Sequence, residues 1–315
     1  MMEHRSVLLE ETIDLLAVKP DGIYVDGTLG RGGHTRELLK HLSSGHLYAF
    51  DKDENALKES REVLKDYADQ VTLIHSDFRH MAECLQEYGI ETVDGVMMDL
   101  GVSSPQFDDP QRGFSYRFDA RLDMRMDQTQ ALSAYEVVND YRFENLARIL
   151  KAYGEEPRAK QIARMIEKER ATHPIETTGQ LTDVIRKALP EAILRKKGHP
   201  AKQTFQAIRI EVNHELDALE EGLRQACDLL KVNGRCAVIT FHSLEDRLVK
   251  KTFKELSSAP FADPRLPLKE SQMEQASFSL VNRHPVTAGE AELEENHRSH
   301  SAKLRVIERI RQKED

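Results

Sequence analysis

Cysteine is scarce in this sequence, and segments that would direct the chain to a membrane are missing. Cysteines occur only at positions 84, 227 and 236 of the 315 residues, an odd number with no paired spacing. A reduced, cytoplasmic protein without disulfides is therefore expected. No apolar run approaches membrane-spanning length, and acidic residues interrupt the first 16 positions, unlike a signal peptide. A net charge of −9 argues against non-specific coating of nucleic acid, although local basic patches can still bind phosphates.

Several common site motifs are missing as well. The dinucleotide fingerprint GxGxxG would need glycine where Thr35 stands, and the P-loop would need lysine where His34 stands. There is no HExxH, so no metal is expected. The nucleophile pattern GxSxG is absent, which argues against a hydrolase that uses Ser243. Ser243 is instead predicted to start a helix, because Asp246 follows it at capping-box spacing.

A glycine-rich turn is present at residues 26–34, where the sequence reads DGTLGRGGH. An apolar run at 23–25 precedes it, and a helical pattern at 35–42 follows it. Four glycines in seven positions allow positive φ angles and let the backbone approach a ligand closely. A strand, turn and helix in this order open the nucleotide site of an open α/β sheet, and a tight turn without a ligand is the alternative.

Strand and helix patterns alternate up to residue 99, which predicts a parallel, doubly wound sheet. The four predicted strands each finish at or just before an aspartate, namely Asp26, Asp51, Asp77 and Asp99. A single aspartate in this position commonly caps the next helix. Four of them would form an acidic rim at the ligand-binding edge of the sheet. Such a rim repels a pyrophosphate and suits S-adenosylmethionine, which carries a sulfonium cation.

Two residues near this edge have predicted contacts with that cofactor. Asp51 lies about 20 residues beyond the turn and is predicted to bind the ribose hydroxyls, as acidic residues do in other nucleotide folds. Phe78 is predicted to pack on the adenine.

The alternation of strands and helices breaks after residue 101. A long loop to about 125 is followed by helical patterns over 133–230, then by a fifth strand at 236–241. Two later runs, 278–281 and 302–310, fit an edge hairpin, and the intervening chain at 260–275 is predicted to be a polar loop. We therefore predict an α/β fold, a doubly wound Rossmann-like methyltransferase sheet with an inserted helical domain. Its predicted parts are the methyltransferase domain at 1–110 and 216–315 and the substrate-recognition domain at 111–215.

The fourth strand leads into the second informative segment, Asp99 to Phe107. Its Ser104-Pro105-Gln106-Phe107 resembles the Ser/Asp/Asn-Pro-Pro-Tyr/Phe loop of methyltransferases that act on exocyclic amines of bases, with Gln106 replacing the second proline. Such an amine is a poor nucleophile because its lone pair is delocalised into the ring. Acceptors such as the Ser104 hydroxyl favour a pyramidal nitrogen and orient it for transfer. We predict Asp99, Ser104 and Pro105 as catalytic residues, and a simple Ser-Pro turn is the alternative.

Basic residues are interleaved with aromatic residues in the segment 112–127, and two further basic stretches follow. This composition suits stacking on an unpaired base and pairing with phosphates. The alternative is a loop folded on its own core, with its arginines paired to aspartates, and a solvated face is the alternative for the other stretches. The residues concerned are Arg112, Phe114, Tyr116, Arg117, Phe118, Arg121 and Arg125, then 195–202 with Arg209, then Arg298, Lys303, Arg305, Arg309 and Arg311.

Nine segments together resemble the ribosomal RNA small subunit methyltransferase H family, and they extend over nearly the whole chain. They are residues 4–9, 26–34, 99–105, 112–115, 122–126, 199–202, 205–209, 240–247 and 301–305. The resemblance implies a cytoplasmic enzyme that uses S-adenosylmethionine to methylate the N4 amine of one cytidine in small-subunit (16S) ribosomal RNA. It implies that the substrate is this RNA or the 30S particle, with no membrane partner. It also implies cofactor contacts at Gly32, Gly33, His34, Asp51, Phe78, Asp99 and Gln106.

Other functions remain open from the residues alone. The amine-type loop also permits methylation of another base or of a protein side-chain amide. A non-catalytic RNA-binding or assembly factor that retains the cofactor pocket is a further alternative. A nicotinamide oxidoreductase is disfavoured because GxGxxG is absent. The sequence does not determine the oligomeric state, and a homodimer is one of the assemblies it leaves open.

Overall fold

The computed structural model describes residues 6–259 and 275–312, with the side chains of residues 104 and 297 left out. The strands, in chain order, are β1 (Ile23–Asp26), β2 (His46–Asp51), β3 (Val71–His75), β4 (Val93–Asp99), β5 (Leu230–Thr240), β6 (Phe278–Leu280) and β7 (Lys303–Arg309). The helices are α1 (Leu9–Leu16), α2 (Gly33–Leu39), α3 (Glu54–Val63), α4 (Met81–Glu87), α5 (Ser104–Asp108), α6 (Ala134–Asp140), α7 (Phe143–Ala152), α8 (Ala159–Arg170), α9 (Thr178–Ala188), α10 (Glu191–Leu194), α11 (Lys202–Asn213), α12 (Glu215–Asp228), α13 (Ser243–Leu256) and α14 (Glu290–Glu295).

Two compact units make up the described chain. The sheet unit comprises the residues up to Gly101 and those from Asp217 onwards, and the inserted unit comprises Val102–Leu216. Along the chain, the boundaries between the units therefore fall at 101/102 and 216/217, whereas the boundaries predicted from the sequence were 110/111 and 215/216. No helix of the described residues is both long and apolar enough to cross a membrane.

The described strands of the sheet unit form one seven-stranded sheet in the order β3-β2-β1-β4-β5-β7-β6. Strands β1 to β5 run parallel, while β7 is antiparallel to both β5 and β6. The predicted α/β fold with its edge hairpin is thus confirmed. Because β2 lies on one side of β1 and β4 on the other, the strand order reverses at β1, which is where such sheets bind ligands.

Helices cover both faces of this sheet, so successive strand residues enter two different cores. On β1 and its neighbours, Val25, Phe50 and Met98 pack with α4, α12 and α13. Residues one position earlier, such as Tyr24 and Met97, pack with α1, α2 and α3. This alternation follows the two-residue period of a strand, and burial on both faces explains why the central strands are almost wholly apolar.

The inserted unit is built on amphipathic helices, as its sequence pattern predicted. Apolar residues recur at helical spacing and are buried on α7, where Leu146, Ile149 and Leu150 are examples. Ser133 and Thr177 begin α6 and α9 through capping boxes with Glu136 and Gln180. The long loop expected from residue 101 to 125 contains the short helix α5 and a 3-10 turn at Pro110–Arg112.

One predicted helix cap is displaced by a residue. Helix α13 does begin at Ser243, but its N-cap is His242, which pairs with Glu245 in the capping box. Asp246, which the sequence analysis matched with Ser243, instead forms ion pairs with Arg305 at 2.8 Å and with Lys303 at 3.0 Å. The local sequence does not reveal these ion pairs, because Arg305 and Lys303 lie more than 55 residues away from Asp246 along the chain. The predicted loop at 260–275 lies outside the described residues except for its last position.

Candidate active site

Three of the four predicted aspartates end neighbouring strands at the reversal point of the sheet. Asp26 ends β1, Asp51 ends β2 and Asp99 ends β4, and β1 pairs with both of the other strands. The carboxyl ends of adjacent parallel strands meet at one edge of a sheet. The sheet topology therefore collects three carboxyl groups that are 25 and 48 residues apart along the chain.

Hydrogen bonds from the glycine-rich turn hold two of these carboxyl groups in place. Asp26 accepts from the backbone N–H of Thr28 at 2.9 Å and from the Thr35 hydroxyl at 2.6 Å. Asp51 accepts from the backbone N–H groups of Gly30 and Asp53, each at 2.8 Å. The turn is thus fastened to the ends of β1 and β2, which orients its backbone toward the edge of the sheet.

Glycine is required within this turn for two separate physical reasons. Gly32 adopts a φ of +74°, a left-handed conformation that is strained for other residues. A Cβ on Gly27 would lie 2.9 Å from Cγ of Met98 and 3.3 Å from Cβ of Phe78, closer than ordinary packing allows. Cβ of the half-buried Phe78 therefore lies against the turn, while the edge of its ring lies against Gly222 on α12.

The carboxyl groups at this edge hold protons more tightly than ordinary aspartates do. Burial raises the pKa of Asp26 to about 6, and it also raises the pKa of Asp51 to about 6. The pKa of Asp99 is raised well above its usual range by burial and by the negative charges of Asp26 and Glu245. Burial is the main cause of these shifts, and a positive ligand beside the carboxyl groups would offset it by stabilising their ionised form.

Asp99 also has an oxygen without a hydrogen-bond partner among the described residues. Its side chain is 30% exposed, yet its Oδ1 is buried and has no hydrogen-bond partner within the described part of the chain. A buried acceptor of this kind is costly unless it binds something. The backbone N–H of Asp99 donates to Oγ1 of Thr28 at 2.6 Å, which ties β4 to the glycine-rich turn. Nothing in the local sequence around Thr28 signals this contact.

His34, in the first turn of α2, faces the second oxygen of Asp99. Nδ1 of His34 lies 3.6 Å from Oδ2 of Asp99, while Nε2 lies 3.0 Å from the carbonyl of Val7. A carbonyl oxygen only accepts, so Nε2 carries the proton and Nδ1 of the neutral ring presents a lone pair to Asp99. Burial lowers the pKa of His34 to about 4, which keeps the ring neutral at physiological pH. The contact between Nδ1 of His34 and Oδ2 of Asp99 can therefore contain at most one proton.

Asp77, the fourth predicted aspartate, is engaged differently. It caps the short turn Phe78–His80 by accepting from the backbone N–H of Arg79 at 3.1 Å. Nζ of Lys52 also lies 3.5 Å from its carboxylate. Burial opposes ionisation, but the Lys52 charge and the bonds from Arg79 lower the pKa of Asp77 overall. The helix-capping alternative is correct for this residue.

The amine-type loop after β4 forms α5, which belongs to the inserted unit. Gln106 is buried, and its Oε1 accepts from the backbone N–H of Ser103 at 3.0 Å. Pro105 occupies the second helical position, where it needs no hydrogen-bond donor. The side chain of Ser104 lies outside what the structure describes. The roles assigned to Ser104, Pro105 and Gln106 therefore stay predictions.

The basic stretch near the chain end was expected to offer phosphate contacts, but three of its members serve the sheet unit instead. Arg305 is 8% exposed and, like Lys303, is paired with Asp246. Arg309 is 5% exposed and donates to the carbonyl of Cys227 at 3.0 Å. These cations join β7 to its neighbours, so they are engaged within the sheet unit and are not free to bind phosphates of RNA.

Comparison with known proteins identifies the family of this chain. The profile of the MraW methylase family matches residues 1–310. A protein of Exiguobacterium sibiricum named ribosomal RNA small subunit methyltransferase H is 55% identical over 312 residues, which are 99% of this chain and 100% of that protein. A protein of the same name from Limosilactobacillus fermentum is 54% identical over 98% of each chain. A solved structure of an rRNA methylase from Streptococcus thermophilus aligns with this chain over 99% of each chain, at 13% identity and with a TM-score of 0.43.

The family match spans both units and includes the glycine-rich turn, the aspartates at the strand ends and the loop after β4. The chain belongs to the MraW methylase family and is a methyltransferase that uses S-adenosylmethionine.

Proposed function

We propose that this methyltransferase modifies the N4 amine of a specific cytidine in small-subunit (16S) ribosomal RNA. The relatives named above are 54–55% identical over almost the entire chain, and their name specifies small-subunit ribosomal RNA. The observation in this structure that carries the proposal is the carboxyl group of Asp99, whose side chain is 30% exposed at the end of β4, beside the reversal point of the sheet. An exocyclic amine offers the hydrogen-bond donors that such a carboxyl group accepts.

We assign the cofactor contacts to the turn and to the strand ends beside it. Gly32, Gly33 and His34 form the start of α2, and Asp51 supplies paired acceptors for the ribose hydroxyls. Phe78 offers a ring face to the adenine, and it packs closely enough on the sheet unit that a Cβ on Gly222 would lie 2.4 Å from it. When bound, the cofactor supplies an electrophilic methyl group on a positively charged sulfur.

The chain's own residues orient the amine and receive its proton. The partly exposed carboxyl group of Asp99 accepts a hydrogen bond from the amine, and we assign the orientation of the base to Ser104 and Pro105. Positioning of this kind contributes on the order of 7 to 11 kcal/mol to lowering a barrier. The amine nitrogen becomes acidic once it carries the methyl group, so a weak base is enough. Asp99 is suited to this task because its raised pKa makes it a better proton acceptor than an ordinary aspartate.

The remaining assignments concern the setting of the reaction. We assign substrate recognition to the inserted unit, Val102–Leu216, and methyl-donor binding to the sheet unit. Gln106 completes the cofactor contacts through its side-chain amide. The substrate is the ribosomal RNA or the 30S particle, and the enzyme acts in the cytoplasm, where ribosomal particles are assembled.

Methyl transfer to ribosomal RNA that lacks the mark tests this function. The chain, the RNA or 30S particle, and cofactor with a labelled methyl group should yield N4-methylcytidine on nucleoside mass spectrometry. We expect Asp99→Asn to lower the rate by roughly 10²- to 10⁴-fold, the usual contribution of a general base. Asp94→Asn is the matched control, because Asp94 lies on the same strand but at its opposite end, where it pairs with Lys19 and Lys231.

Cofactor binding measured by calorimetry separates two reasons for lost activity. An Asp99→Asn enzyme that still binds the cofactor but does not transfer the methyl group supports the assigned role. Label in protein but not in RNA would contradict the proposed substrate. Label in RNA at another base or position would contradict the proposed target atom.

A further inference from the structure

The structure divides the arginine–aromatic segment of the inserted unit into an inward and an outward set. Arg112 is buried and donates to the carbonyls of Arg125 and Met126 at 2.8 and 3.0 Å. Arg125 is paired with Asp123 at 2.7 Å, and Phe114 is 3% exposed in the core. For these residues the alternative of a loop folded on its own core is correct. The two guanidinium groups and the Phe114 ring therefore make their contacts inside the inserted unit.

The outward set is centred on Phe118, whose side chain is 46% exposed. Its sequence neighbours Arg117 and Arg121 are exposed too. Neither arginine has a carboxylate within ion-pair distance in the residues that the structure describes, and the same is true of Arg186 on α9. Arg117, Phe118 and Arg121 thus expose one aromatic ring and two guanidinium groups within five residues, on a chain of net charge −9.

Hydrogen bonds fix the backbone on both sides of Phe118 to the start of α9. The Thr178 hydroxyl donates to the carbonyl of Phe118 at 2.7 Å and accepts from the N–H of Ala120 at 3.0 Å. The Thr178 N–H donates to the carbonyl of Ala120 at 2.8 Å. Asp119 accepts from the Gly179 N–H at 3.0 Å, so its carboxylate lies at the start of α9. The exposed ring is therefore presented on an ordered backbone, which lowers the entropic cost of using it for binding.

A second aromatic pair extends the cationic surface. The ring of Tyr116 stacks on His199 with centroids 4.1 Å apart and planes 7° apart, and it packs edge-on against Phe205. Burial and the positive charges of Arg186 and Arg117 lower the pKa of His199, which shows that both guanidinium groups lie near it. Arg117 and Arg186 thus concentrate positive charge around this part of the inserted unit.

We propose that the surface formed by Arg117, Phe118, Arg121 and Arg186 binds an unpaired stretch of RNA, with a base stacked on Phe118 and phosphates on the guanidinium groups. We call it the Phe118 surface. It deepens the proposed function and rests on it, since it supplies a contact by which the inserted unit holds the RNA strand. An exposed ring beside unpaired cations matches the recognition of single strands, where bases stack on aromatic side chains and charges follow the backbone. A protein partner is disfavoured because one isolated ring offers little apolar area.

Binding of the full chain to a fluorescently labelled, unstructured RNA oligonucleotide tests the Phe118 surface. Phe118→Ala should raise the Kd by about 5- to 150-fold, since stacking on an aromatic residue is worth about 1 to 3 kcal/mol per base. Phe118→Trp should keep tight binding, whereas Phe118→Leu should not, because leucine retains apolar area but has no π face. Tyr88→Ala is the matched control, an aromatic residue of the sheet unit that is 50% exposed.

The charged residues have a separate signature in the salt dependence. Arg117→Gln should lower the slope of log Kd against log salt concentration by about 0.7, the value for one phosphate contact on a single strand. Phe118→Ala should leave that slope unchanged. With the intact ribosomal substrate, Phe118→Ala should raise KM and leave kcat and cofactor affinity near the wild-type values.

The outcomes distinguish this proposal from the function on which it rests. If the wild-type chain methylates ribosomal RNA and Phe118→Ala binds RNA as tightly as wild type, the Phe118 surface is wrong and the methyltransferase function stands. If Phe118→Leu binds as well as Phe118→Trp, the ring makes a simple apolar contact and stacking is excluded. Equal, Phe118-dependent binding of fully paired RNA would also overturn the proposal. If the wild-type chain neither binds nor methylates ribosomal RNA, both proposals fail together.

Discussion

Replacement of Asp26 by asparagine should raise the free energy of unfolding relative to wild type, and this gain should be larger at neutral pH than at acidic pH. The side chain of Asp26 is 2% exposed, and burial raises its pKa from 3.8 to about 6. Between these two values the folded protein retains a proton that the unfolded chain releases. The free energy of unfolding therefore falls as the pH rises through this window. A shift of about two units corresponds to about 3 kcal/mol at 1.36 kcal/mol per unit.

Asparagine is a suitable probe because it keeps the size of the side chain and removes only the charge. Its carbonyl oxygen can accept from the Thr28 N–H, and its amide can donate to the Thr35 hydroxyl, so both present contacts of Asp26 retain a counterpart. The expected gain of about 3 kcal/mol therefore reports on ionisation rather than on a lost hydrogen bond.

Urea unfolding at pH 4 and pH 7 measures this effect. The difference in free energy of unfolding, variant minus wild type, should increase by about 2.4 kcal/mol from the lower to the higher pH, because the unfolded chain is already partly ionised at pH 4. Asp94→Asn should show little change between these two pH values. Hydrogen bonds and ion pairs with Lys231 and Lys19 lower the pKa of Asp94 below its ordinary 3.8 despite its burial, so its titration lies mainly below pH 4. Parallel pH profiles for wild type and Asp26→Asn would refute the claim that the edge of the sheet holds a destabilising charge for a cation to relieve.

Three further changes test other contacts of the two units. The affinity for S-adenosylmethionine relative to its uncharged-sulfur product should rise roughly tenfold from pH 5 to pH 7.5, because Asp26 and Asp51 ionise near pH 6 and then attract the sulfonium; calorimetry that finds the same pH dependence for both ligands would contradict this. Thr28→Val should lower the free energy of unfolding by about 1 to 3 kcal/mol, because the backbone N–H at position 99 loses its acceptor, and Thr28→Ser should restore it in the same urea titration. Asn213→Leu should cost about 2 to 5 kcal/mol, because the buried amide bonds the Met126 N–H and the Met124 carbonyl; a change below about 1 kcal/mol in thermal or urea unfolding would show that these bonds are dispensable.

The sheet and its acidic edge were predictable because both depend on local patterns. Apolar runs that end at Asp26, Asp51 and Asp99 signal buried parallel strands, and parallel strands align their carboxyl ends without further information. The glycine-rich turn was identifiable for the same reason, since its positive φ angles restrict the residue type.

Contacts between residues distant in the chain were not predictable in this way. Thr28 bonds a backbone group 71 residues away, and His34 faces both Val7 and Asp99. Asp77 lies two residues beyond the end of β3, where it accepts from the N–H of Arg79 as a cap and also pairs with Lys52.

The sequence by itself determined the alternation of strands and helices, the turn between β1 and α2, and the presence of arginines and aromatic residues after β4. Only the tertiary structure decided which of those arginines and rings are buried and which are exposed. Arg112 and Phe114 are buried while Arg117 and Phe118 reach the surface, although both pairs have similar composition and spacing. The physical reason is that hydrophobic periodicity specifies local conformation, whereas burial and ion pairing depend on partners brought together by the complete fold.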